Sequence, residues 1–298
     1  MAGSSLPGPA SADDPEPASS TPLLDFALEQ PPPAPSFVDS LNKRLAGITA
    51  EMQRHPPPEG EDCAQTLGAN RFADQYISLA TIRSSLGDFD GAITALESAL
   101  ECTPRDASVH GALASEQLRA GKLGEARATL ERGMTIDRDD ETIDSTMSQL
   151  DFIEEHWASA TARLRARATI EMDPERATYS QCLLWLAQRR AGVQAPELAS
   201  RDSYDLWPTQ ILDVLQGRLT EAELVEAIKE REAAPRRREQ LAQALYYVGQ
   251  LQLANGQTEL ARRYFAAAVD LEVPHLVEHP MALAELEKLR DTGQPMPD

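Results

Sequence analysis

Basic side chains are the first thing this sequence lacks. It carries 28 lysines and arginines against 48 aspartates and glutamates, for a formal net charge of −20 over 298 residues. A face that binds nucleic acid or an anionic membrane must present enough cations to release counterions, so both partners are disfavoured. Long hydrophobic runs are missing too: nothing approaches the roughly 18 apolar residues of a membrane span. The start, MAGSSLPGPASADDPEPASSTP, has neither a basic head nor an apolar core, so as written it does not read as a signal peptide. Only three cysteines occur, Cys63, Cys102 and Cys182. They make no metal-ligand pattern and no CxxC motif. Cys102 and Cys182 fall in helical patterns as small buried hydrophobes, and Cys63 is expected to be the exposed one. There is no Gly-rich phosphate loop and no GxSxG, and the five histidines join no serine or cysteine in a nucleophile motif. No catalytic set and no cofactor site emerges.

What the chain has instead is a period. Gly87, Ala92, Leu96 and Ala99 recur 34 residues on as Gly121, Ala126, Leu130 and Gly133, and Ala160 and Leu164 continue the register. A 34-residue unit of small and large apolar positions is the tetratricopeptide pattern, two antiparallel helices joined by a tight turn. Gly87 and Gly121 sit where the turn needs positive φ. Ala92 and Ala126 let the second helix approach the first, and Pro104 limits the second helix before the next unit. No such unit buries its own apolar face, so the units must stack. The expected fold is an all-α helical-repeat superhelix.

Around these units the chain divides by composition. Residues 1–36, rich in Pro, Ser and Ala, read as a disordered tether. Leu23, Leu24, Phe26 and Leu28 are an isolated apolar cluster within it. Residues 37–60 read as a capping helix, FVDSLNKRLAGITAEMQR, and a linker containing Pro56-Pro57-Pro58. Residues 61–173 hold three repeats, the third degraded: Glu155 replaces the turn glycine and Trp157 follows it. Residues 174–290 hold further helical repeats and a capping helix from about Pro280. There the second helix of the fourth unit is interrupted by Pro196 and SRDSYD, and Thr220 with Glu223 reads as a capping box. Residues 291–298 read as a disordered tail.

The stretch from Pro174 to Leu289 carries SQCLLWLAQRR, WPTQILDVLQGRLTEAEL, LYYVGQLQLANGQTELARRYFAAAV and VEHPMALAEL. Together these resemble the bacterial outer-membrane lipoprotein NlpI and its relatives. The most distinctive piece is the closing Val277-Glu278-His279 with Ala282, Leu283, Glu285 and Leu286. The resemblance implies a dimeric periplasmic adaptor that holds a processing protease and peptidoglycan hydrolases together in cell-wall turnover. It also implies a lipidated cysteine after a signal peptide, and this sequence starts at Met1 with neither. The expectation is a trimmed form, attached to the membrane only through a lipid anchor absent from the sequence. The Pro-rich arm would be its tether.

Stacked helix pairs present a concave groove lined by their first helices. By repeat register Asp74, Ile77, Thr81 and Ser84 line it in the first unit, Ser108, Gly111, Ser115 and Leu118 in the second, and Tyr246, Gln250 and Leu253 in the last. Grooves of this type that grip a C-terminal carboxylate use Lys and Asn. Ile77 and Thr81 stand at those positions, which disfavours that mode. Three motifs compete for other roles. His275-Leu-Val-Glu278-His279 fits the inverted zinc-protease pattern, but Pro274 and Pro280 bracket it and deny it a helix. Glu278 and His279 are better read as pinning the last helix. Asp137 to Asp144 suggests a calcium loop without its turn glycine, and reads instead as a helix cap. Arg236-Arg237-Arg238 reads as a solvated helix start. The chain is thus expected to be a non-enzymatic protein-binding adaptor, with two alternatives. One is an envelope structural lipoprotein without a protease partner; the other is a zinc-dependent hydrolase using His275, Glu278 and His279.

Overall fold

The computed structural model describes residues 21–31, 35–58, 61–193, 207–231 and 234–291, and among these every regular element is a helix. Four helices precede or open the repeats: α1 (Pro22–Leu28), α2 (Pro35–Arg54), α3 (Glu61–Gln65) and α4 (Ala69–Ser85). The expected pairs follow: α4 with α5 (Phe89–Cys102), α6 (Ala107–Arg119) with α7 (Leu123–Ile136), and α8 (Glu141–Ile153) with α9 (Trp157–Ile170). Then come α10 (Pro174–Arg190), α11 (Trp207–Leu215) and α12 (Glu221–Arg231). The pair α13 (Ala234–Ala254) and α14 (Thr258–Asp270) and the closing α15 (Glu278–Asp291) complete the chain. The expectations for residues 1–20, for the interrupted helix after Gly192 and for the tail from 292 lie outside the described residues.

The caps explain why the helices begin and end where they do. Asp106, Asp140 and Asp173 each accept two backbone N–H bonds at the starts of α6, α8 and α10. Asp140 therefore belongs to a helix cap, as its segment's lack of a turn glycine suggested. At the ends of α4 and α6, Gly87 (φ +78°) and Gly121 (φ +75°) take the left-handed conformation. The N–H of the following residue bonds back to the carbonyl five residues earlier, Asp88 to Arg83 and Lys122 to Gln117. The third repeat makes the same turn without glycine. Glu155 holds φ +61°, and His156 N–H bonds to Asp151 O at 2.8 Å. The left-handed backbone costs a non-glycine residue about 1–2 kcal/mol. The Glu155 carboxylate meets Arg190 at 2.7 Å and Lys288 at 3.5 Å, contacts a glycine would forfeit. Further on, the capping box forms, with Thr220 and Glu223 bonding each other's backbone N–H groups.

Two expectations fail in informative ways. The Leu23 cluster is not left in an unstructured arm. It forms α1, whose Leu23 is fully buried and whose Leu24 and Phe26 are 6% and 9% exposed, packed on α12, α13 and α14. Three large apolar side chains at helical spacing find a groove far along the chain, and burial outweighs the ordering entropy of so short a helix. Cys63 is not exposed either. It is fully buried on α3 and bonded to Cys102 at the end of α5, with Cα atoms 4.6 Å apart. Sequence spacing hid the pair because the two cysteines lie 39 positions apart, with the first repeat between them. Cys182 is the free thiol, buried, and burial pushes its pKa up.

The bond fastens the five-residue α3 to the first repeat, a helix too short to hold its place alone. Replacing both Cys63 and Cys102 by Ser is expected to cost about 3 kcal/mol. Urea unfolding with and without reductant checks this: reductant should weaken the parent and leave the double variant unchanged.

Candidate protein-binding site

Part of the concave face of the repeats is taken by the chain itself. Helix α15 packs on α14 and α13 and also reaches α6 and α8. The turn before it presses in further, with Arg119 at the end of α6 donating to His275 O at 2.7 Å. A Cβ added at Gly87 would lie 3.4 Å from the Pro274 ring. The core under this closure joins α1 to the helices from α6 to α15, while α3, α4 and α5 pack around a second cluster that reaches Val109 and Leu113 of α6.

That closure redistributes the residues expected in the groove. Asp74, Thr81 and Ser108 are exposed, and Ile77, Ser115 and Leu253 are half-buried. Ser84, Gly111, Leu118, Tyr246 and Gln250 are buried and cannot meet a partner on a free surface. Each has a reason. Ser84 bonds to Glu116, whose carboxyl burial pushes above its usual range. Gly111 lies where a Cβ would come within 3.0 Å of Ile143 N at the start of α8. Leu118 is part of the continuous core beneath the closure.

Tyr246 and Gln250 belong to a polar network at the centre of that closure. Gln250 donates to Tyr246 Oη at 3.2 Å and to Glu285 at 3.2 Å, and accepts from Arg190 at 2.9 Å. Arg190 also pairs with Glu285 at 2.9 Å, and Glu285 is 2% exposed. A sequence signal for this burial was present: LAQALYYVG, Leu241 to Gly249, is apolar almost all round the helix, and such a helix belongs in a core.

The His275-Glu278-His279 motif is taken apart by the start of α15. Glu278 is the first residue of that helix, 4% exposed, with Gln243 Nε2 donating to it at 3.5 Å. His275 lies before the helix and bonds to Glu239 at 3.0 Å. His279 is half-buried, and burial followed by the nearby His275 lowers its pKa. Among the described residues no group of three or more His, Cys, Asp or Glu is placed to hold a metal ion. Nor does any helix among them have the length and apolarity to cross a membrane. The Arg236 run differs from its expected role at its last member, since Arg238 donates to Leu271 O and to Pro31 O.

Among the recesses still open is a cleft of about 870 Å³ between the turns of the first two repeats and the α14–α15 pair. Leu123, Leu283 and Leu286 supply apolar lining, and Leu283 is 42% exposed. Asp88 and Asp90 line it from the turn after α4, and Arg263 and Arg290 from the C-terminal helices. An apolar floor between charged rims suits a protein segment. Repeat register alone missed this cleft, because one wall belongs to a helix that the register does not contain.

A family model described as tetratricopeptide repeat matches residues 85–150. No curated protein matches the chain. The matched segment runs from the end of α4 into α8 and contains Gly87 and Gly121 with the second repeat complete. Residues 85–150 are thus similar to tetratricopeptide repeats, and the helix pairs described around them make an all-α helical-repeat fold.

Gly111→Ala is expected to cost about 1–3 kcal/mol, since overpacking would push α6 off α8. The check is the urea midpoint, with helix content unchanged. A pH prediction comes from Glu278, whose carboxyl burial raises above the usual 4.5 against the lowering effect of its hydrogen bonds. A carboxyl with a raised folded pKa stabilises below its unfolded value and loses that contribution as pH rises through the folded value. Glu278→Gln stays neutral, so at neutral pH it should be more stable than the parent. The margin should vanish as pH falls below the ordinary carboxylate range, which unfolding midpoints at acid and neutral pH would show.

Proposed function

We propose that the chain is an NlpI-like periplasmic adaptor that brings a processing protease and peptidoglycan hydrolases together in cell-wall turnover. The observation that carries the reading is the open, apolar-lined cleft between the first two repeat turns and α14–α15. Its C-terminal wall is formed by the segment whose sequence resembles that lipoprotein family, Val277 to Leu286. In this reading the wall is what a protease or hydrolase meets.

Two features support an envelope location. The Cys63–Cys102 bond is of the kind that forms and persists in oxidising compartments such as the bacterial periplasm. The acidic surface, with net charge −20, keeps the chain off anionic lipid, so a lipid anchor would do the attaching. Residence at the periplasmic face of the outer membrane and a homodimeric state belong to the same proposal.

The test is capture from bacterial envelope extract on the immobilised chain, with Leu283→Asp as the matched control. A protease or a peptidoglycan hydrolase should be retained by the parent and at least about tenfold less by the variant, a charge in the cleft floor removing a central apolar contact. Equal retention by both chains, or none by either, would refute the cleft as the docking site.

A further inference from the structure

Helix α1 sits on the molecule in the manner of a bound peptide. Its three buried side chains, Leu23, Leu24 and Phe26, enter a groove made by α12, α13 and α14. Its chain neighbour α2 packs instead on α4, in the other half of the superhelix. Few polar contacts hold the seat. The Leu23 backbone N–H bonds to Glu221, the Lys229 ammonium lies 5.2 Å from the centre of the Phe26 ring, and Arg238 reaches Pro31 O. Leu28, the last residue of the helix, is 87% exposed.

The seat is larger than its occupant and of the wrong charge for it. Beside α1 a cleft of about 610 Å³ stays open along α12. Glu223, Glu226 and Glu230 line it from α12, while α1 adds Asp25 and Glu29. Lys229 is the one cation among its lining residues, and it already pairs with Glu226 at 2.9 Å. Like charges face each other across the cleft, so α1 fills the apolar part of the groove while its own carboxylates oppose the fit.

We infer that the α12–α14 groove is a docking seat for a partner's short amphipathic helix with a Leu-Leu-x-Phe apolar face and basic flanks, held in reserve by α1. A lysine or arginine in place of Asp25 or Glu29 would meet the three α12 carboxylates. The partner segment then has the advantage of charge, and α1 the advantage of being tethered. A short tether gives an effective concentration on the order of millimolar, so the seat stays closed until a ligand of better charge arrives. The inference deepens the scaffold reading above and rests on it, but it concerns a different surface from the Leu283 cleft.

The test uses the full chain and a labelled peptide of residues 21–31 carrying Asp25→Lys and Glu29→Lys, read by fluorescence polarisation. Substituting Leu23→Asp and Phe26→Asp in the full chain expels α1. That variant is expected to unfold cooperatively like the parent and to bind the basic peptide at least about tenfold more tightly, because its seat is empty. The peptide of parent sequence should bind it about fivefold more weakly than the basic one at low salt, the gap closing as salt is added. Reversing the exposed Glu226 and Glu230 to Arg should abolish the preference. Equal binding to parent and variant, loss of cooperative unfolding in the variant, or no preference for the basic peptide would each overturn the inference. Peptide binding without envelope capture would leave this seat standing and remove the adaptor role; the reverse pattern would do the opposite.

Discussion

A two-helix repeat cannot cover its own apolar face, and every unit in this chain depends on a neighbour to do so. In the first three repeats the neighbour is the next repeat. The concave side gets no such cover from stacking alone, and there the C-terminal helices supply it, with α15 lying against α6 and α8. The contact is more than apolar. Arg190, Glu285, Gln250 and Tyr246 satisfy one another where α10, α13 and α15 meet. A buried ion pair contributes little net stability over an apolar substitute, yet a register that separates its members strands a charge in the core. The network therefore allows α15 one position, and the cleft it borders inherits that precision.

The irregular third repeat makes sense in this light. Its turn residue is Glu155 because the turn faces the closure. The carboxylate reaches Arg190 and Lys288, one on α10 and one on α15. Trp157, next along, stacks edge-on against Phe152 at 5.4 Å and takes the Arg190 guanidinium over its ring at 4.9 Å. What looks like decay of the repeat pattern is the place where the repeat half and the C-terminal half are joined. Arg190 alone contacts four of the groups that hold the join, Glu155, Trp157, Gln250 and Glu285.

The repeats, their turns and most helix limits were legible because they follow from local chemistry. Gly87 and Gly121 mark left-handed turns, and Thr220 with Glu223 marks a helix start, each within a few residues. The groove was legible only as far as register goes. Asp74, Thr81 and Ser108 do face outward. Tyr246 and Gln250 do not, since register assigns a face without saying what covers it. The same limit applied to Cys63, whose burial depends on a partner 39 residues away, and to Leu23, whose groove lies some two hundred residues on. Long-range pairings leave no periodic trace, so composition read Leu23 as part of a loose arm and Cys63 as exposed.

A closed superhelix changes what a scaffold of this type can offer. An open repeat array binds along its concave face and bends as it does so. Here part of that face is spent on internal packing, and recesses open between elements that are distant in sequence. The cleft beside Leu283 is one, and its walls at α6, α7, α14 and α15 share one core. Rigid walls spare a ligand the entropy of ordering them, so affinity comes from fit more than from area. A fixed spacing between docking surfaces also sets how close two bound proteins are held. For an adaptor of the kind proposed, giving up part of the long groove in exchange for that fixed geometry is a coherent use of the fold.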